Sequence, residues 1–138
     1  MFFSKKREIS NQKTNIVKVA ALLIHAAKID QQYSNEEEII IKKTLLDLGA
    51  NEIELEDLIS KAKKYEEDAN QILEFTKEIK NLGEKEKIKI IQSLWRIIYS
   101  NNDADIYETN LMRRLAGLLY IDNKTMGDIK EQIKKENS

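Results

Sequence analysis

The stretch IHAAKIDQQYSNEEEIII, residues 24–41, decides the fold. Its first half continues an apolar helical stripe: Ile16, Ala20, Leu23 and Ala27 fall at helical spacing, and Asp30 extends that stripe. Its second half opens another helix, with Ser34 as N-cap and Glu37 three residues on, completing a capping box. The plan returns 71 residues later in WRIIYSNNDADIYETNLM, residues 95–112. Ile24 falls on Trp95, Asp30 on Asn101, Ser34 on Asp105, Glu37 on Glu108 and Ile41 on Met112. Asn101 extends the stripe of Leu94 and Ile98 as Asp30 extends that of Leu23 and Ala27. Each unit is an apolar helix, an oxygen-bearing residue at its last turn, a short loop, an N-cap and an inward glutamate.

The rest of the chain reads as helix too. The helix begun at Ser34 stops near Gly49; NEIELEDLISKAKKYEED (51–68) is a third, charged on its outer face. ANQILEFTKEIKNLG (69–83) is a fourth, capped by Asn70 and ended by Gly83, and EKEKIKIIQSLWRIIYS (84–100) is a fifth. Asp105 with Glu108 opens a sixth through Tyr120, and Asp122 caps a short seventh that frays into KKENS. No segment alternates with period two, and the chain has no proline and only four glycines. These features predict an all-α, single-domain bundle of about seven helices with a pseudo-two-fold repeat of helix–loop–helix units. The domain is expected over residues 14–136, after a mobile tail over 1–13. Gly117, inside the sixth helix, costs about 1 kcal/mol relative to alanine, which close helix–helix approach would excuse.

Composition removes several classes of function. A net charge of −1 gives no general attraction to nucleic acid, and the Lys61/Lys63/Lys64, Lys85/Lys87/Lys89 and Arg113/Arg114 clusters mix with acids as solvated helix faces do. No apolar run reaches the roughly 20 residues of a membrane span, and MFFSKKREISNQKT lacks the apolar core of a signal peptide. With no cysteine there is no disulfide or thiolate chemistry, which fits a reducing, cytoplasmic setting. No glycine-rich phosphate loop is present, and His25, the only histidine, has no serine or second histidine at a diagnostic spacing. His25 therefore reads as a packed or partly exposed helix residue, and no enzymatic activity is expected. Trp95, Tyr99 and Phe75 sit in strongly apolar helices and read as core.

The inward carboxylates are the feature that composition does not explain. An aspartate at a helix C-terminus meets the negative end of the helix dipole, a penalty of roughly 0.3–1 kcal/mol that calls for a cation or donor nearby. Amides opening the next helix would serve, with the glutamates as plain capping-box partners. An ion would also serve. The ligand set Asp30, Ser34, Glu37, Asn101, Asp105 and Glu108 offers hard oxygens, suited to Ca²⁺, Mg²⁺ or Mn²⁺. NNDADIYETNLM is not an EF-hand loop, since Ile106 and Met112 occupy its glycine and bidentate-glutamate positions. Arg113 and Arg114 offer another way to neutralise the acids.

The segments LLIHAAKIDQQYSNEEEIIIKKTLLDLG (22–49) and LWRIIYSNNDADIYETNLMRRLAGLL (94–119) resemble the TerB family, named for tellurite-resistance protein B, over roughly residues 15–125. Members carry an ADG…(S/D)xxE signature in each half. The resemblance implies a bundle of about seven helices, a stress-response role, and clustered acidic residues suggested to bind a divalent metal. Related domains stand beside J-domains in membrane-anchored co-chaperones, which implies other proteins, membrane-associated complexes among them, as partners. Asp30, Ser34 and Glu37 match the first signature; Asp105 and Glu108 match the second, where Asn101 replaces the aspartate. Gln31 and Asn102 replace the two glycines. Two functions follow: a cation-binding stress-response module, or a protein-interaction module whose acidic residues only cap helices.

Overall fold

The computed structural model of the protein describes residues 16–29, 33–100 and 106–136. Among the described residues there are seven α-helices and no strand. Helix α1 covers 16–28 and α2 Asn35–Asp47. A 3₁₀ turn at Glu52–Glu54 leads into α3, Leu55–Asp68, followed by α4, Leu73–Ile79. Helix α5 is Glu84–Tyr99, α6 Ile106–Leu118 and α7 Asn123–Glu136. The tail expected over residues 1–13 lies outside the described residues.

Two helices form the centre. On α1 every side chain from Val19 to Ile24 is buried, as are Ala26 and Ala27, so the helix is apolar all round rather than along one stripe. On α5 Ile90, Ile91, Ser93 to Trp95 and Ile97 to Tyr99 are buried. Such wide apolar faces place these helices inside, α5 keeping only a narrow polar stripe at Lys85, Lys89, Gln92 and Arg96, and the remaining helices cover the two. One continuous cluster of buried side chains draws on all seven helices. Phe75, Trp95 and Tyr99 belong to it, with Trp95 stacked on Tyr99 at 5.8 Å.

The repeat reaches further than two helices per unit. Helix α6 begins and ends 71 residues after α2. The buried positions Leu55, Leu58 and Ala62 of α3 recur at the same offset as Met126, Ile129 and Ile133 of α7. The caps recur as well: Asn51 accepts from the Ile53 amide, and Asp122 from the Thr125 amide at 2.6 Å. Both α2 and α6 end in one hydrogen-bond pattern. Ala50 N–H donates to Leu45 O and Gly49 N–H to Leu46 O; Ile121 N–H donates to Ala116 O and Tyr120 N–H to Gly117 O. This is the Schellman closure, with a left-handed residue just past the helix. The chain is therefore two three-helix units, α1–α3 and α5–α7, with α4 between them.

The units interlock. Helix α5 packs against α7 of its own unit and α2 of the other, and α4 packs on α6. Between α2 and α5 the Thr44 and Ser93 hydroxyls meet at 2.6 Å in the buried interior. Thr44 already donates to Ile40 O, so Ser93 donates to Thr44. The position equivalent to Ser93 holds Leu22 on α1 and that equivalent to Thr44 holds Leu115 on α6, both fully buried.

Local boundaries differ from expectation in three places. Helix α3 opens with the 3₁₀ turn, and α4 starts at Leu73 with no side-chain cap; the Asn70 N–H instead donates to the Glu74 carboxylate. Helix α7 is as long as α3 and persists through Lys134, Lys135 and Glu136. Lys87, expected on a solvated face, is 7 % exposed. Its ammonium donates to Leu119 O at 3.0 Å, satisfying a carbonyl that the end of α6 leaves without a helical partner.

Candidate functional site

The first glutamate is a cap and is also buried. Ser34 sits in extended backbone, its Oγ accepting from the Glu37 amide at 3.2 Å, while Glu37 Oε1 accepts from the Ser34 amide at 2.9 Å. This is the expected capping box. Glu37 is only 1 % exposed, whereas Glu36 in the same first turn lies open to solvent. Beside it the Tyr33 hydroxyl approaches Glu38 Oε1 at 3.5 Å. Burial, then the Glu38 and Glu37 carboxylates, push that hydroxyl well above the usual tyrosine range. Lys63 of α3 lies 3.5 Å from Glu38 and 5.3 Å from the Tyr33 ring, so a cation from α3 answers part of this acidic turn.

The second glutamate repeats the placement. Glu108 stands in the first turn of α6, 5 % exposed, at the position equivalent to Glu37. Asp30, Asn101 and Asp105 lie outside the described residues. The structure thus joins Ser34 to Glu37 and sets Glu108 at the matching point of the other unit. Among the described residues no three His, Cys, Asp or Glu side chains group as metal ligands. Arg113 and Arg114 are exposed on α6.

His25 is tied into the packing. Its Nδ1 lies 3.3 Å from Glu66 Oε1, and Lys28 Nζ lies 2.7 Å from Glu66 Oε2, so Glu66 clamps α3 to α1 from both sides. The imidazole also rests against Phe75, ring centroids 5.6 Å apart. Arg96, the equivalent of His25, holds Glu136 of α7 at 3.2 Å in the second unit.

Two concavities carry no residue singled out as a ligand. One, of about 620 Å³, lies between the start of α1 and the turns after α2 and α4, lined by Ile16, Leu48 and Leu82 with Glu86. The other, of about 320 Å³, runs between α4 and the end of α6. Gly117 lines it, and a Cβ at Gly117 would meet no atom within 4 Å. Close helix approach is therefore not the reason for this glycine: the position faces a gap. The mid-helix glycine was the sequence signal for this groove.

No curated protein and no solved structure matches the chain. The family model for tellurite resistance protein TerB matches residues 17–131, from the first central helix into α7 and so across both units. No helix among the described residues is long and apolar enough to cross a membrane. The match covers most of the sequence and agrees with the all-helical bundle: the chain belongs to the TerB family.

Proposed function

We propose that the protein is a non-enzymatic TerB-type module that holds one divalent cation between its two units and acts in a cytoplasmic stress response through other proteins. The observation that supports the cation is the burial of Glu37 and Glu108 at equivalent positions of two units. A carboxylate withdrawn from water requires donors or positive charge around it. Glu37 Oε1 accepts from the Ser34 amide, so the cap and an ion would share one buried carboxylate. Ser34 Oγ already accepts from the Glu37 amide, which makes it a secondary ligand at most. With Glu108 and the sequence candidates Asp30, Asn101 and Asp105 the donors are all hard oxygens, which fit Ca²⁺, Mg²⁺ or Mn²⁺. When bound, the ion would offset the mutual repulsion of these carboxylates. The complete capping box at Glu37 supports a second reading, in which the glutamates brace the units and the working surface lies elsewhere.

Thermal melts in chelator and then in millimolar Ca²⁺, Mg²⁺ or Mn²⁺ separate the two readings. A cation at 100 times its dissociation constant adds about 2.7 kcal/mol, so the melting temperature rises by several degrees. Asn101→Asp should enlarge the shift and Glu37→Gln abolish it, glutamine still completing the cap. A melting temperature that no ion moves leaves the bracing reading standing.

A further inference from the structure

We propose that the groove between α4 and the end of α6 docks a partner protein through an acidic segment bearing one large apolar anchor. Its position and chemistry make this a separate site from the glutamates: Glu108 and Gly117 lie about 14 Å apart along α6.

The case begins with the repeat. In the first unit Leu46 occupies the helix and Gly49 the left-handed position after it. In the second unit the residue types are inverted, with Gly117 in the helix and Tyr120 at φ 58°. Each choice goes against local preference, since glycine weakens a helix and a tyrosine resists the left-handed region. Both fall on one groove. Gly117, itself exposed, leaves one side of it open, and Tyr120, 71 % exposed, stands at its edge beside Leu73 and Leu118. Local rules broken together at one surface mark a place selected for something other than stability.

The rim identifies the occupant. Lys77 and Lys80 line the groove and make no ion pair among the described residues. Neighbouring acids are engaged elsewhere: Glu78 pairs with Lys18 at 2.6 Å, Glu74 accepts the Asn70 amide, and Asp122 accepts the Thr125 amide. Lys87, its buried ammonium held by Leu119 O, lies 5.7 Å from the Tyr120 ring and fixes that ring at the groove's edge. A positive rim on a chain of net charge −1 selects carboxylates. The apolar gap takes a single bulky side chain, and a concave seat suits such an anchor better than a flat lipid surface.

The probe is a synthetic peptide with one phenylalanine flanked by glutamates, titrated into the ¹⁵N-labelled full chain. Amide shifts should concentrate in residues 73–80 and 117–121. Replacing the phenylalanine by alanine, or the glutamates by lysines, should abolish binding. Gly117→Leu fills the open side with the residue of the other unit, and Lys77→Glu with Lys80→Glu reverses the rim. Each should weaken the peptide by about tenfold or more while the fold holds, and Gly117→Leu should raise the melting temperature because leucine replaces a mid-helix glycine. The proposal fails if the peptide does not bind at millimolar concentration, if shifts map elsewhere, or if both variants fold and bind as the parent does. It also fails if the lysine-flanked peptide binds equally well. Vesicles rich in phosphatidylserine provide the remaining arm: capture by vesicles but not by peptide would assign the rim to a membrane and overturn a protein partner.

Discussion

Gly49 and Tyr120 stand at one and the same place in the two units, each just past a Schellman closure, with φ of 104° and 58°. The backbone demands a left-handed residue at both points, yet only the first unit supplies the residue suited to it. Gly49→Ala should therefore destabilise by about 1–2 kcal/mol, although the site has room for a methyl group. Tyr120→Gly should stabilise by up to about 1 kcal/mol, the relief of strain less the entropy that glycine adds to the unfolded chain. Urea denaturation of the two variants checks the pair. A Tyr120→Gly variant that is clearly less stable would mean that the ring's contact with Lys87 outweighs the strain.

Trp95 is 2 % exposed, and its indole N–H has no partner among the described residues. Trp95→Ala should cost about 3–5 kcal/mol, the range for emptying a large aromatic site. Trp95→Phe keeps most of the apolar volume and gives up no hydrogen bond to a described group, so it should cost far less. Equal losses in the two variants, measured by chemical denaturation, would show that the indole nitrogen is bonded after all.

At the start of α2 the two halves of the capping box separate by mutation. Ser34→Ala removes the acceptor for the Glu37 amide and should cost about 0.5–2 kcal/mol in the absence of any ion. Glu37→Gln keeps a hydrogen-bonding oxygen for the Ser34 amide and should cost less than Ser34→Ala in chelator. Thermal melts in chelator order them.

The third helices differ in their response to acid. Asp122 caps α7, and the Thr125 backbone amide that it accepts holds its carboxyl below the usual aspartate range. A folded-state pKa below the unfolded one contributes stability above the unfolded value, lost as pH falls through the folded one. Asn51 caps the turn before α3 with a neutral amide and has no such dependence. Amide exchange followed from pH 5 downward should loosen the first turn of α7 before that of α3. Asp122→Asn should remove the difference.

Helix type and order were legible because the apolar spacing is regular in every segment, and the N-cap signals Ser34, Asn51 and Asp122 stand in the sequence as residues of the right type. The third helix of each unit escaped the repeat because its shared letters are only a burial pattern: Leu55 against Met126 and Ala62 against Ile133 are alike in depth, not in identity. Lys87 was misread because a lysine between lysines looks solvated, and only the end of α6 arriving over it gives the ammonium a buried carbonyl. Gly117 suggests close helix approach where the structure has open space, since a sequence shows a missing side chain without showing whether the space beyond is full or empty. The Ser34–Glu37 capping box is legible as residue types at a fixed spacing, while the depth of Glu37 and Glu108 depends on packing that no local pattern encodes.

A chain made of two similar three-helix units faces a problem of assignment while it folds: either central helix offers an apolar surface to either second helix. The Thr44–Ser93 contact acts as a key for that choice. If α2 settled against α1, Thr44 would meet Leu22 in place of Ser93, and the Ser93 hydroxyl would be left without its acceptor. A buried hydroxyl stranded in this way costs about 1–3 kcal/mol, a bias of roughly fivefold to more than a hundredfold against the exchanged pairing. One polar pair set against one pair of leucines thus gives each half of the molecule its own address, within a chain and between neighbouring copies at high concentration.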